Sequence, residues 1–399
     1  MRKPVLLFVL MALALVVACG AALAQVQPLG RSSPGRYIVV LNDTVSDPGQ
    51  AASAIARRHG LGVGFVYSHA LKGFSAKIPE ARLDAVRSEG RVAYVEHDRT
   101  AHATVQALPW GIDRIDADLS STLAGDGASS VDDVNAYVID TGIYRHTDLN
   151  VVGHRNFTGD GKNYDCNGHG THVAGTIAAK DDAQDVVGVA PGAPLTGVKV
   201  LGCKGPGSYS GIIKGIDWVT ANAARPAVAN MSLEGPASQA LDDAVRNSAA
   251  SGVFYSVAAG NDAQPACNYS PARAGLSKVD TNSDGVVNHN DSNGIVTTAA
   301  TNATDEEASF SNYGKCVDIW APGVSILSTK LGGGTTTMSG TSMAAPHVGG
   351  GGALYLSTNA GSTATDVEAL LKANARTQST ISKAPSGTRY VTLEYVGGF

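Results

Sequence analysis

The chain has 399 residues, of which 43% are hydrophobic and only 16% charged, with 47 glycines and a formal net charge of −5. That length leaves room for two or three domains, or for one large domain with appendages, and the apolar fraction supports a sizeable core. The mild negative charge gives no reason to expect nucleic acid or an anionic membrane surface as a partner.

At the N-terminus, Arg2 and Lys3 precede the apolar run Val5 to Val17, and Ala22-Leu23-Ala24 follows. This reads as a secretory signal peptide over residues 1–24, too short and wrongly flanked for a transmembrane anchor. The protein is therefore expected to be secreted. Val16-Val17-Ala18-Cys19 offers a competing reading as a lipoprotein box that lacks its usual Leu, with a lipid anchor on Cys19. Residues 25–35 are rich in Pro, Gly and Ser and read as a linker.

From Arg36 the pattern becomes compact. Strands are expected at Tyr37 to Leu41, Val63 to Tyr67, Gly73 to Ile78 and Val92 to Glu96. Helices are expected at Gln50 to His59 and Glu80 to Ser88. The order β-α-β-β-α-β is that of a small α+β ferredoxin-like unit. Ala101-His102-Ala103-Thr104 then looks like an exposed junction.

Beyond it, strands alternate with helices. Val134 to Ile139, ending at Asp140, Leu195 to Leu201, Val228 to Met231 and Val253 to Ala258 are apolar strands. His169 to Ala179, Ser210 to Asn222, Ala237 to Ser251 and Pro346 to Leu356 are helical. Continuous apolar strands separated by helices predict an α/β fold with a mostly parallel sheet covered on both faces. In such sheets, function gathers at the carboxyl ends of the strands. Asp140 lies at one such end, and Asn261 follows another.

Three segments carry chemistry. In Gly340-Thr341-Ser342-Met343-Ala344-Ala345-Pro346-His347 a serine precedes a proline that reads as a helix start, where free N–H groups favour developing negative charge. Tyr137-Val138-Ile139-Asp140-Thr141-Gly142 supplies a carboxylate, and Asn167-Gly168-His169-Gly170-Thr171-His172 supplies an imidazole. Each alone has a bland reading: a helix cap, a strand-end turn, a helix-start histidine. Together they stand in the order Asp, His, Ser, one of the known orders of a nucleophilic triad. His169 and His172 could share a helix face as a metal pair, but no Glu follows His169 and no third ligand is evident.

These motifs, with Trp110 to Asp116, Asn230-Met231-Ser232-Leu233, Ala258-Ala259-Gly260-Asn261, Asn268 to Arg273 and Ser309 to Gly314, resemble the subtilisin-like serine proteases. The similarity is to the proteinase K branch and is closest in motif detail to its aqualysin members. It covers residues 103–399, with Ala103 matching the mature start in aqualysin-like proteases. The resemblance implies a subtilisin-like three-layer fold, with residues 25–102 as linker and inhibitory propeptide acting on its own catalytic domain. It implies Ser342 as nucleophile, His169 as base and acid, Asp140 as orienting carboxylate and Asn261 as side-chain donor to the oxyanion. Protein or peptide substrates would lie between Gly205-Pro206-Gly207 and Ser232-Leu233-Glu234-Gly235. A monomer is expected. Pro206 and Glu234 depart from the branch, Glu234 standing where a glycine is usual. That carboxylate either points to solvent or faces the bound peptide near P1 or P3, where it would favour Lys or Arg. Gly349-Gly350-Gly351-Gly352 is a further departure, and four interior glycines predict a weak helix, at about 0.5–1 kcal/mol each. The competing class is a non-catalytic, calcium-dependent binding protein on a protease fold.

Signal removal leaves Cys166, Cys203, Cys267 and Cys316. An even number in an exported chain suggests disulfides, and four cysteines allow three pairings. The resemblance implies Cys166–Cys203 and Cys267–Cys316. Between residues 275 and 293 lies a segment that relatives lack. Within it, Asp280, Asn282, Asp284, Asn288 and Asp291 take positions 1, 3, 5, 9 and 12 of an EF-hand-like loop, with Gly285 at 6 and the Val286 carbonyl at 7. That oxygen-rich spacing predicts structural calcium. Asp318 matches a calcium ligand of the family, but its carbonyl partners come from the displaced segment. Asp113 and Asp116 match a further site of some relatives, in which Ala117 replaces a ligand-type residue.

Overall fold

A computed structural model describes residues 32–99, 106–128, 130–278, 291–383 and 390–399. The signal segment with Cys19, residues 25–31 of the linker, the junction at Ala103, and loop residues Asp280, Asn282, Asp284, Val286 and Asn288 lie outside the described residues. Contacts divide the chain into two compact units, Met1–Ala103 and Thr104–Phe399.

The first unit carries strands Ser32–Leu41, Gly62–Tyr67, Gly73–Lys77 and Val92–Arg99 and helices Pro48–His59 and Glu80–Arg87. The sheet is antiparallel, with Ser32–Leu41 between Gly73–Lys77 and Val92–Arg99, and Gly62–Tyr67 at an edge. Helix Pro48–His59 starts at Asp47, whose side chain accepts the Gln50 N–H, and ends at left-handed Gly60. Both signals follow the usual preferences for helix ends. Its Ala51, Ala52 and Ile55 form one buried stripe against Tyr37, Val39, Phe74 and Ile78.

The second unit is built on a nine-stranded sheet. Its spatial order is Arg376–Ile381, Tyr390–Leu393, Ile319–Pro322, Ile295–Thr301, Phe254–Ala258, Ala227–Met231, Asn135–Asp140, Leu195–Lys199 and Val151–Asn156. All neighbours are parallel except the edge pair Arg376–Ile381 with Tyr390–Leu393. Helices Tyr209–Asn222 and Gln239–Ala250 pack on the cluster containing Tyr137, Ile139, Val198 and Tyr255. His169–Ala178, Thr341–Thr358 and Ala364–Asn374 contribute to the cluster containing Val138, Val228, Phe254 and Val296. The sheet is thus covered on both faces.

Two expectations about the helix bearing Ser342 need correction. It begins at Thr341, not at Pro346, which lies inside it. A proline tolerates this because only one N–H is lost, and the carbonyl four residues back, on Ser342, accepts the Ser232 hydroxyl at 2.8 Å instead. Nor is the glycine run simply a weakness. A Cβ on Gly350 would come within 2.5 Å of Val189, on Gly351 within 2.5 Å of the Glu394 carboxyl, and on Gly352 within 2.6 Å of the Phe254 ring. The helix packs so closely against Phe254 of the sheet, Val189 and Glu394 that a methyl on any of these three glycines would force a neighbour to move. Gly349 has ordinary clearance, its nearest neighbour being 3.6 Å away.

Candidate active site

Four strand ends deliver the site. Asp140 closes strand Asn135–Asp140, and the neighbouring strands lead into residues 200–207, 232–235 and 259–261. The first turns of His169–Ala178 and Thr341–Thr358 bring in His169 and Ser342. A cleft of about 580 Å³ is lined by His169, Gly205, Pro206, Gly207, Ser232, Leu233, Glu234, Gly235, Asn261 and Ser342.

Asp140 is fully buried and accepts from His169 Nδ1, at 2.8 Å to one carboxylate oxygen and 3.0 Å to the other. Burial alone would lower the His169 pKa. The charge and hydrogen bond of Asp140, with the charge of Asp165, outweigh it and raise the pKa above the ordinary value. With Nδ1 committed, Nε2 is the nitrogen left for chemistry. Ser342 Oγ donates to the Ser232 carbonyl at 3.2 Å, not to His169. Bonds between a nucleophile and its base commonly tighten only when substrate binds.

Asn261 is fixed at both ends. Its Oδ1 accepts from the Thr341 N–H at 2.8 Å and from the Thr341 hydroxyl at 3.1 Å, and its backbone N–H donates to Glu234. The side-chain NH₂ is thereby set beside the N-terminus of the Ser342 helix, where the Thr341 and Met343 N–H groups are taken and the Ser342 N–H has no partner among the described residues. Two amide donors can converge there on one developing negative oxygen.

Asp165 was not singled out in the sequence, yet it organises the site. Its fully buried carboxylate accepts from the Thr141 hydroxyl at 2.9 Å, the N–H groups of Asn167, Gly168 and Thr171 at 2.8–3.0 Å, and the Thr171 hydroxyl at 2.5 Å. One carboxylate thus ties the residue after Asp140 to the start of the His169 helix. An acidic residue four positions before His169, ahead of Asn167-Gly168, was the available signal. Lys199, also fully buried, donates to the carbonyls of Thr141 at 2.8 Å and Leu201 at 3.0 Å. Cys166 is joined to Cys203, with Cα atoms 4.9 Å apart, and Cys267 to Cys316 at 5.3 Å.

The other candidates sit apart from this cleft. His169 and His172 do not converge as a metal pair, because His172 Nε2 bonds the Ile326 carbonyl at 3.0 Å while His169 Nδ1 is held by Asp140. Asp318 is buried, and its Oδ2 accepts the Thr297 N–H at 2.7 Å. Asp116 is paired with Arg376 at 2.8 Å. Of the EF-hand-like residues only Asp291 is described. It is fully buried, and its carbonyl accepts from Lys372 Nζ at 2.7 Å.

Comparison with known proteins agrees with this architecture. Residues 133–389 match the profile of the Subtilase family, and residues 36–104 match that of peptidase inhibitor I9. The chain belongs to the subtilase family of serine proteases. It is 42% identical over 398 residues to an extracellular serine proteinase of a Thermus species, covering 88% of this chain and 89% of that one. To alkaline serine exoprotease A of Vibrio alginolyticus it is 42% identical over 347 residues, 82% of this chain but only 60% of that protein's length. Among solved structures, the crystal structure of a cold adapted subtilisin-like serine proteinase matches with a TM-score of 0.61 at 42% identity, covering 72% of this chain and 97% of that one. The second unit therefore has a subtilisin-like fold, preceded by a small α+β propeptide domain of the inhibitor I9 type.

Proposed function

We propose that the protein is a secreted, self-processing serine endopeptidase. The observation that carries this is the Asp140–His169 pair opening onto the same cleft as Ser342 and Asn261. Ser342 Oγ attacks the scissile carbonyl and gives its proton to His169 Nε2. The C–O bond forms, the carbonyl electrons move onto oxygen, and Asn261 Nδ2 with the Ser342 N–H stabilises that charge. His169 then passes the proton to the leaving amine as the C–N bond breaks. Water, deprotonated by the same imidazole, hydrolyses the acyl-enzyme and restores Ser342. Asp140 holds the tautomer and stabilises the imidazolium throughout.

Residues 25–102 act as an intramolecular inhibitor removed at Ala103, residues 1–24 direct export, and the mature protein is a monomer. The I9 match and the extracellular relatives support this part of the reading. The oxygen-only donor set of Asp280, Asn282, Asp284, the Val286 carbonyl, Asn288 and Asp291 suits calcium, a hard cation that would offset the mutual repulsion of three carboxylates. At Asp318, one carboxylate oxygen accepts the Thr297 N–H, and the Ala272 carbonyl accepts the Thr297 hydroxyl at 2.7 Å.

The decisive experiment is labelling of the purified protein with a fluorophosphonate, beside Ser342→Ala. Labelling of the wild type alone, with the variant accumulating as uncleaved precursor, is expected. Absence of labelling in correctly folded wild type overturns the proposal.

A further inference from the structure

We propose that Glu234 selects a cationic side chain on the substrate residue that supplies the scissile carbonyl. This deepens the protease reading and rests on it.

Glu234 follows the strand Ala227–Met231 on one side of the cleft, yet its carboxylate reaches across to the segment that follows Phe254–Ala258. There both oxygens accept the single backbone N–H of Asn261, at 3.0 and 3.2 Å. Gly260 makes the approach possible. It sits at φ +107°, and a Cβ on it would lie 2.1 Å from Glu234 Oε2. The donors of this one residue leave acceptor capacity, since a carboxylate offers about four lone-pair sites. Part of the side chain is solvent-exposed, and it lines the cleft.

The position of a substrate follows from bond lengths. If Asn261 takes the scissile carbonyl oxygen, the α-carbon bonded to that carbonyl lies within a few ångströms of Asn261. The side chain on it starts beside the Glu234 carboxylate. This favours P1 over P3, the two subsites that the sequence left open.

The charge balance points the same way. Neither Lys nor Arg lines the cleft, and His169 is its one basic group among the described residues. Asp262, which faces Tyr269 and lies close to Glu234, adds a second negative charge. Desolvation raises the Glu234 pKa. The Asn261 backbone N–H and side chain act against that rise, while the charge of Asp262 adds to it. An anion short of counter-charge gains most from a cation, and a Lys or Arg side chain can bring one on an apolar stem.

The test uses three peptides that differ only in that residue: Lys, norleucine, which keeps an apolar stem without the ammonium, and Glu. In the wild type near pH 8, kcat/KM for Lys over norleucine should be about ten-fold, with Glu the poorest. Glu234→Gln should bring the Lys-to-norleucine ratio close to one, and Glu234→Asp should retain a preference for Lys. The wild-type ratio should also shrink as the medium is acidified and Glu234 takes a proton. If Glu234→Gln still labels with fluorophosphonate and cleaves the norleucine peptide, but keeps the wild-type ratio, the proposal is overturned while the protease reading stands. If folded wild type neither labels nor cleaves any of the three, both fail together.

Discussion

Ser232 and Ser342 bond to each other in both directions. The Ser232 hydroxyl donates to the Ser342 carbonyl at 2.8 Å, and the Ser342 hydroxyl donates to the Ser232 carbonyl at 3.2 Å. The first bond exists because Pro346 has no N–H to offer that carbonyl. The second holds the proposed nucleophile against the segment that follows strand Ala227–Met231.

Ser232→Ala should therefore destabilise the fold more than an ordinary serine truncation. It leaves a mostly buried helix carbonyl without a partner, at a cost of about 1–3 kcal/mol, which corresponds to a Tm lowered by several degrees. Thermal unfolding in a Ser342→Ala background, which avoids self-digestion, measures this. An unchanged Tm would show that the carbonyl finds another partner.

His169 must be neutral to accept a proton, and Asp140 raises its pKa. The acid limb of kcat/KM should accordingly have its midpoint above the ordinary histidine value of about 6.5. Asp140→Asn should shift that limb to lower pH and also cut kcat by several orders of magnitude, because the tautomer is no longer fixed. A limb that stays in place in the variant would assign the titration to another group.

Two other histidines govern acid stability. His172 and His347 are fully buried, with pKa values pushed down to about 4, chiefly by burial, while the carbonyls of Ile326 and Met343 act in the opposite direction. Between pH 6.5 and 4 the unfolded chain binds protons there that the folded chain refuses. Stability should fall as pH falls through this window, by roughly 3 kcal/mol for each histidine. Urea unfolding of Ser342→Ala across pH 4–7 gives the slope, and His347→Gln should flatten it even if the variant is less stable at every pH.

Glu394 works with the opposite sign. It is buried behind the glycine run, and neither carboxyl oxygen has a hydrogen-bond partner among the described residues. Burial raises its pKa well above the usual carboxylate range. The folded chain then holds a proton that the unfolded chain releases, so stability is lost as pH rises above the ordinary value of about 4.3. Glu394→Gln keeps the shape and removes the titration. It should gain stability relative to wild type as the pH is raised from 5 to 9, and parallel curves would refute the assignment.

The fold class and the candidate site were both legible in the sequence. Asp140, His169, Asn261 and Ser342 stand in short motifs that resemble those of a known family, so each could be picked out as a candidate without knowing what packs against it. The start of the Ser342 helix could not, because the carbonyl that Pro346 leaves free is satisfied by Ser232, more than a hundred residues away. Four cysteines left three pairings open on the residues alone; the family resemblance implied Cys166–Cys203 and Cys267–Cys316, and these are the pairs the structure forms. The strands Ile295–Thr301 and Ile319–Pro322 have no clear signal in the sequence, the first being rich in threonine and the second ending in proline. Their burial depends on neighbouring strands on both sides. The bridge from Glu234 to Asn261 was likewise invisible, since it joins two loops from adjacent strands.

The linear placement of these residues has a consequence for the timing of synthesis. Asp140 and His169 emerge early from the ribosome, Asn261 later and Ser342 near the end. The strands that align them pair in parallel through long crossovers, the slowest kind of contact to form. A growing chain therefore has no hydrolytic capacity until its last quarter has been made and wound into the sheet.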